Sequence, residues 1–394
     1  MENYISKNNE DHKERVVIIG TLASGILGFR KDLIIALKGR GYEVYAFATD
    51  YTERSISAVE SLGAIPVSYE LERTGLNPFK DVANLILLYR KLKEIKPRIV
   101  FSYFIKPTIY GTIAASLASV KSIVSMIEGL GYVYTPAING FSVKKKILQK
   151  IQEGLFMISF PLCKKVLVLN IDDLQLLRGI PFVSDEKVEL LGPIGLNLSE
   201  YKYTPNLNPK SNGEIRFIFV GRLLEEKGIY YFLEAARAIK VRYPSAEFIV
   251  IGGVDAENPS GISLEELQCY IDDGIITYPG FVNNVQHWVA SSDVFVLPSF
   301  YREGIPRSTQ EAMAIGRAVI TTDSPGCRET VVNEETGILI PRWDTEALIS
   351  AMQYFILSPG ECVRMGKNGY QKAQREYDAS LINEKLVGVL ESGL

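Results

Sequence analysis

The chain has 394 residues, 47% of them hydrophobic and 23% charged, with a net charge of −3; it is long enough for two domains, and the composition excludes a fibrous or low-complexity protein. Four scattered cysteines without a CxxC pair and only two histidines, His12 and His287, argue for a reducing compartment and against a metal cluster. The first 14 residues hold no apolar core for a signal peptide, and no run of about 18 uncharged apolar residues offers a membrane span.

Short β-branched apolar runs alternate with amphipathic stretches along the whole chain. The first half offers RVVIIGT, EVYAFATD, AIPVSYE, RIVFSY, SIVSMIEG, KVLVLN and KVELLGP. The second offers IRFIFVGR, AEFIVIGG, IITYPGF, VFVLPS, AVITTD and GILIP. Between them lie helix-like segments such as FRKDLIIALKGRG, NPFKDVANLILLYRKLKEIK, GIYYFLEAARAIKVRY and TEALISAMQYFIL. This alternation predicts parallel sheets covered by helices on both faces. Two such series predict an α/β protein of two doubly wound domains, residues 1–200 and 201–375. A helix in 376–394 is expected to pack back on the first domain. The polar, Pro-rich segment 201–214 is the expected linker. Ligands of such folds lie beyond the carboxyl ends of the strands, so the cleft between the domains is the expected site.

The first strand runs into Gly20-Thr-Leu-Ala-Ser-Gly25-Ile-Leu-Gly28-Phe-Arg30. Glycines at a strand-to-helix turn let backbone N–H groups approach a phosphate. The pattern is neither GxGxxG nor a P-loop, which disfavours a dehydrogenase or a nucleoside triphosphatase; a plain tight turn is the alternative. Further on, Ile123 to Val143 is apolar and Gly-rich, and Lys144-Lys-Lys146-Ile-Leu-Gln-Lys150 opens a basic amphipathic helix. Residues 80–165 hold 14 basic and four acidic residues. This region reads either as solvated helix faces or as a surface for an anionic partner such as a membrane leaflet.

In the second half, Gly221-Arg222-Leu-Leu-Glu-Glu-Lys227-Gly228 follows a strand and precedes a helix. Arg222 and Lys227 can point to the cleft from one edge, where a diphosphate needs such donors. Loops after later strands, around Val282 and at Thr322–Glu329, complete the rim. The segment Glu303-Gly-Ile-Pro-Arg-Ser-Thr-Gln-Glu311 places one carboxylate just outside a helix and another inside it. Pro306 suits the first turn and Gly316 the end. Free N–H groups at the helix start favour an anion, whereas carboxylates suit a ligand rich in hydroxyls.

The combination of GR-x4-KG, PGFV and E-x7-E within PSFYREGIPRSTQEAMAIGRAVITTDSPGCRE resembles family 4 of the retaining glycosyltransferases, which have a GT-B fold. GGVDAENPS, RTGLNPFKD and EGLG are similar to bacterial enzymes that extend sugar on undecaprenyl diphosphate, including α-1,3-N-acetylgalactosaminyltransferases of O-antigen, capsule and protein-glycan assembly. The resemblance implies that Arg222 and Lys227 neutralise a donor diphosphate. Glu311 would accept hydrogen bonds from ribose hydroxyls, Val282 would lie by the base, and Glu303 would face the transferred sugar beside the N–H groups of Gly304, Ile305 and Arg307. It implies a UDP-sugar donor, with N-acetylgalactosamine or galactose favoured, and a lipid-diphosphate-linked sugar acceptor. Same-face retention is implied, and the absence of a DxD motif points to no metal. Gly25, Arg30 and Lys106 are the candidates for an acceptor or phosphate loop; Lys106 stands where many relatives carry a histidine. The implied location is the cytoplasmic face of the membrane, held peripherally; no nucleic acid is implied. A nucleotide-sugar 2-epimerase and a silent nucleotide-sugar-binding subunit remain alternatives.

Overall fold

The computed structural model describes residues 13–72, 78–205, 214–254, 258 and 260–392. Residues 206–213 of the expected linker, and parts of the tail, RTGLNPFKD and GGVDAENPS, lie outside the described residues.

Each apolar run forms a strand. In the first domain these are β1 (Arg15–Ile19), β2 (Glu43–Ala48), β3 (Ile65–Ser68), β4 (Ile99–Tyr103), β5 (Ser122–Ile127), β6 (Lys165–Val168) and β7 (Val188–Leu190). In the second they are β8 (Arg216–Val220), β9 (Glu247–Ile251), β10 (Thr277–Gly280), β11 (Val294–Leu297), β12 (Ala318–Thr322) and β13 (Gly337–Ile340). They make two parallel sheets, ordered β3-β2-β1-β4-β5-β6-β7 and β10-β9-β8-β11-β12-β13. Strands β4, β5, β11 and β12 are buried at every residue. That is why they read as unbroken apolar runs: helices cover both faces of a parallel sheet. The edge strand β3 is only partly covered.

Strand order reverses between β1 and β4 in the first sheet and between β8 and β11 in the second. The loops after these strands flank a crevice at each switch point, where open α/β sheets bind ligands. The helix Ala379–Glu391 lies on the first domain: Leu386, Val387 and Leu390 join its core, and Ser122 Oγ donates to the Leu390 carbonyl at 2.8 Å. No described helix is long and apolar enough to cross a membrane.

Candidate functional site

The loop after β8 forms a short 3₁₀ turn, Glu225–Lys227, and then Gly228 with φ +83° opens the helix Ile229–Arg242. A Cβ at Gly228 would lie 2.2 Å from the Pro298 carbonyl oxygen, so the glycine is dictated by backbone packing between the loops after β8 and β11. The Glu226 carbonyl accepts the N–H groups of Phe300 and Tyr301, both at 2.9 Å, and ties the two loops together. This brings Lys227 Nζ onto Glu303 Oε1. The two side chains keep only 15% and 11% of their exposure. Ser299 Oγ lies 3.1 Å from the same carboxylate oxygen.

Tyr301 forms a platform under the cations. Lys227 Nζ sits 5.3 Å and the Arg222 guanidinium 6.0 Å from its ring centre. Arg222 is exposed, and among the described residues no carboxylate pairs with it. Cys327 is fully buried nearby; burial, and then the charge of Glu303, push its thiol up to about 11.

The helix Arg307–Ile315 starts one residue after Pro306, which stands at the capping position without a side-chain cap; Gly316 ends the helix in the left-handed conformation. The first hydrogen bond of this helix runs from Gln310 N–H to the Pro306 carbonyl at 3.3 Å. The N–H groups before it face outward from the helix start. Glu311, in the second turn, accepts Tyr201 Oη at 2.7 Å and Arg307 Nε at 2.9 Å, both on Oε1. Among the described residues no hydrogen bond is made to Oε2. Val282 packs against the core of the second domain beside the exposed Phe281, next to the left-handed Gly280.

Arg307 also donates to the Gly28 carbonyl of the first domain, with its guanidinium 5.1 Å from the Phe29 ring. Gly129 (φ +96°), in the EGLG segment, packs flat on the Arg302–Gly304 backbone, and a Cβ there would lie 2.4 Å from the Gly304 nitrogen. Gly131 N–H donates to the Arg302 carbonyl at 3.1 Å. The two domains therefore touch directly at the Glu303 segment.

Three first-domain candidates, Gly25, Arg30 and Lys106, are engaged with partners inside the first domain. Gly25 lies inside the helix Ala23–Phe29, not in a loop, and its N–H is bound to the Leu22 carbonyl at 3.0 Å. The Ala23 N–H at the start of that helix is held by Asp50 Oδ1 at 2.6 Å, so a carboxylate already occupies the place a phosphate would take. Arg30 is 1% exposed, ion-paired with Glu128 and stacked 4.4 Å from the Tyr103 ring centre; burial lowers its pKa to about 10. It braces the EGLG segment from below. Lys106 pairs with the buried Asp81 at 3.1 Å, and Tyr110 Oη donates to the same carboxylate at 2.9 Å. Among the described residues, no group of three His, Cys, Asp or Glu is placed to hold a metal.

Tyr301, Ser299, Arg302 and Asn170 also hold this segment, and no motif in the sequence singles them out. Arg302 Nε pairs with Asp173 at 2.7 Å, and Asn170 Nδ2 donates to the carbonyls of Glu303 and Gly304. Positions next to EGIP and at a strand end are the signals the sequence offers for them. A cavity of about 890 Å³ lies on the outer side of these contacts, lined by Asp172, Arg328, Glu329, Arg342 and Trp343 rather than by Arg222, Lys227 or Glu303.

Residues 204–372 match the glycosyl transferases group 1 family. Over 384 residues the chain is 27% identical to N,N'-diacetylbacillosaminyl-diphospho-undecaprenol alpha-1,3-N-acetylgalactosaminyltransferase of Campylobacter jejuni, covering 94% of this chain and 96% of that one. It is 28% identical over 285 residues to an Escherichia coli UDP-Gal:alpha-D-GlcNAc-diphosphoundecaprenol alpha-1,3-galactosyltransferase, covering 69% of this chain and 70% of that one. Among solved structures, Anabaena HepE in complex with UDP-glucose superposes with a TM-score of 0.76 at 16% identity, covering 96% of this chain and 99% of that one. The fold is GT-B, two Rossmann-like domains facing across a cleft, and the chain is similar to bacterial glycosyltransferases, one of them named for capsular polysaccharide biosynthesis in Staphylococcus aureus.

Proposed function

We propose that this protein is a retaining glycosyltransferase that moves a hexose or N-acetylhexosamine, N-acetylgalactosamine or galactose being favoured, from a UDP-sugar to a sugar carried on a lipid diphosphate. The observation that carries this reading is the Lys227–Glu303 pair at the β8/β11 switch point, with the exposed Arg222 beside it and the start of the helix Arg307–Ile315 next to it. Both the relatives and the donor-bound neighbour support it.

In this reading the donor diphosphate lies against Arg222, Lys227 and the N–H groups ahead of Gln310. Lys227 approaches it already neutralised by Glu303, and shares its charge when the phosphate arrives. Fixed cations and amides aimed at a leaving group that gains charge are usually the largest single contribution to catalysis. Glu303 then accepts from hydroxyls of the transferred sugar, and Glu311 Oε2 from the ribose. The acceptor hydroxyl attacks the anomeric carbon on the face the diphosphate leaves, and the departing phosphate takes its proton. Glu303 is engaged with Lys227 and Ser299, so it serves as a hydroxyl acceptor rather than a nucleophile. The protein cations take the place a divalent metal has at other diphosphate sites.

A lipid-linked acceptor calls for a membrane face. The helix Val143–Ser159 buries Gln152, Phe156 and Ser159 and exposes Val143, Ile147, Ile151 and Ile158 in one stripe. Lys146 and Lys150 line an apolar groove along it. Such a stripe fits shallow docking on an anionic leaflet, with each lysine adding about 1 kcal/mol near the surface.

The test is transfer of label from a panel of UDP- and GDP-sugars to synthetic N-acetylhexosamine-diphosphoundecaprenol, with EDTA present. Label entering the lipid fraction from one UDP-sugar is the expected result. UDP-N-acetylglucosamine converted to its 2-epimer without acceptor, or donor bound and never transferred, would replace the transferase reading.

A further inference from the structure

We infer that Asn170 is a positioning residue for transfer: reaching from the first domain, its amide fixes the Glu303–Gly304 peptides of the second, so the sugar-facing edge is complete only while the domains are together. This inference rests on the transferase reading of the site.

Asn170 follows β6 and caps the helix Ile171–Arg178, its Oδ1 accepting Asp173 N–H at 2.8 Å. It has no exposed surface. With Oδ1 used for the cap, Nδ2 faces three oxygens: Gly304 O at 2.9 Å, Glu303 O at 3.0 Å and Asp173 Oδ2 at 3.2 Å. Three acceptors around one nitrogen leave a single orientation for the amide, and its two protons are fully used. Two of those acceptors are consecutive backbone carbonyls of the opposite domain.

The consequence follows from peptide geometry. In a trans peptide the C=O and the next N–H point in opposite directions. Holding the carbonyls of Glu303 and Gly304 toward Asn170 therefore sets the directions of the Gly304 and Ile305 N–H groups. Those are the amides that the proposed site turns on sugar and phosphate. Asparagine is suited to this because it is at once a good helix cap and a double donor. Aspartate caps equally well but has no proton to give.

Neighbouring contacts hold the same segment. Arg302 Nε pairs with the fully buried Asp173 at 2.7 Å, and Arg302 N–H donates to Thr135 Oγ1 at 2.9 Å. Arg328 pairs with Asp172 at 3.1 Å on the outer side of the same turn. That last pair is more exposed and touches neither Glu303 nor Gly304, which makes it the control: it joins the domains without orienting the peptides.

The experiment uses the full chain and four proteins: wild type, Asn170→Asp, Asn170→Ser and Arg328→Gln. The serine variant keeps a neutral capping oxygen and covers the case in which the aspartate variant does not fold. Two readouts are taken, kcat and KM for the donor in the transfer assay, and hydrogen exchange of the 303–307 amides. A small misplacement of reacting groups costs on the order of 100-fold. The expected result is a kcat lower by about that factor in the Asn170 variants, with a smaller change in donor KM and faster exchange at Gly304 and Ile305. Arg328→Gln is expected to change neither. Unaltered kcat and exchange in Asn170→Ser, with only a lower melting temperature, would reduce Asn170 to a helix cap and overturn the inference. If the wild type transfers no sugar, the transferase reading fails by itself, and the exchange readout still decides whether Asn170 holds the segment.

Discussion

Replacing Lys227 with methionine removes the cation on Glu303 and leaves its carboxylate, in a side chain only 11% exposed, facing Ser299 and little water. Breaking a fully buried pair by deleting one partner costs about 3–5 kcal/mol. Some solvent reaches both groups and Ser299 offers a hydroxyl, so about 2–3 kcal/mol is the expected loss. In a domain of this size that is roughly 5–10 °C of melting temperature. Glu303→Gln keeps the shape and removes the charge. Combined with Lys227→Met it leaves no stranded ion, so about 2 kcal/mol of the loss should return as coupling in a double-mutant cycle. Transfer should not return with it. Loss of a group that stabilises the charged transition state typically costs 10²–10³-fold in rate, and the double variant lacks both groups. Urea unfolding and the transfer assay on the four proteins measure the two quantities separately. A double variant whose stability loss equals the sum of the singles would refute the coupling. Recovery of transfer together with stability would show the pair to be structural only.

Glu311→Ala should weaken UDP binding by about 10–100-fold, since hydrogen bonds to a charged group contribute about 1.5–3 kcal/mol, and calorimetry with UDP measures this. Gly129→Ala forces a side chain against the Gly304 nitrogen in a left-handed conformation; it should lower the melting temperature and raise the radius of gyration in solution scattering, whereas Gly28→Ala, which meets nothing within 4 Å, should do neither. With Cys163, Cys327 and Cys362 buried and their thiols pushed up by burial, a thiol reagent at pH 8 should titrate one group, the exposed Cys269, in the native protein and four after denaturation. Ile147→Glu with Ile151→Glu should abolish sedimentation with anionic vesicles while leaving UDP binding intact.

The sheets were legible because a parallel strand buried on both faces has few ways to be written. All thirteen apolar runs became strands, and Gly316, read as the end of its helix, ends it in the left-handed conformation. Ionic partners were less legible. Arg30 and Lys106 read as cations at loop positions, but Glu128 and Asp81 come from distant segments that only the sheet order brings beside them. The Gly20–Gly28 stretch reads as a loop because its glycines mask a helix whose start is held by Asp50. Asn170 reads as an ordinary helix cap; its second task depends on a carbonyl pair in the other domain, which no local pattern records. The carboxylates of E-x7-E stand out by spacing, yet which oxygen of Glu311 is already committed depends on Tyr201 and Arg307.

The claim that protein cations hold the diphosphate is tested most directly by titrating UDP, in the presence of EDTA, into wild type, Arg222→Ala and Lys227→Ala and reading the heat. The expected result is metal-free binding by the wild type and a loss of about tenfold or more in each variant, as removal of one charge-assisted hydrogen bond implies. Binding that appears only when a divalent cation is added, or that is equal in all three proteins, would contradict the account.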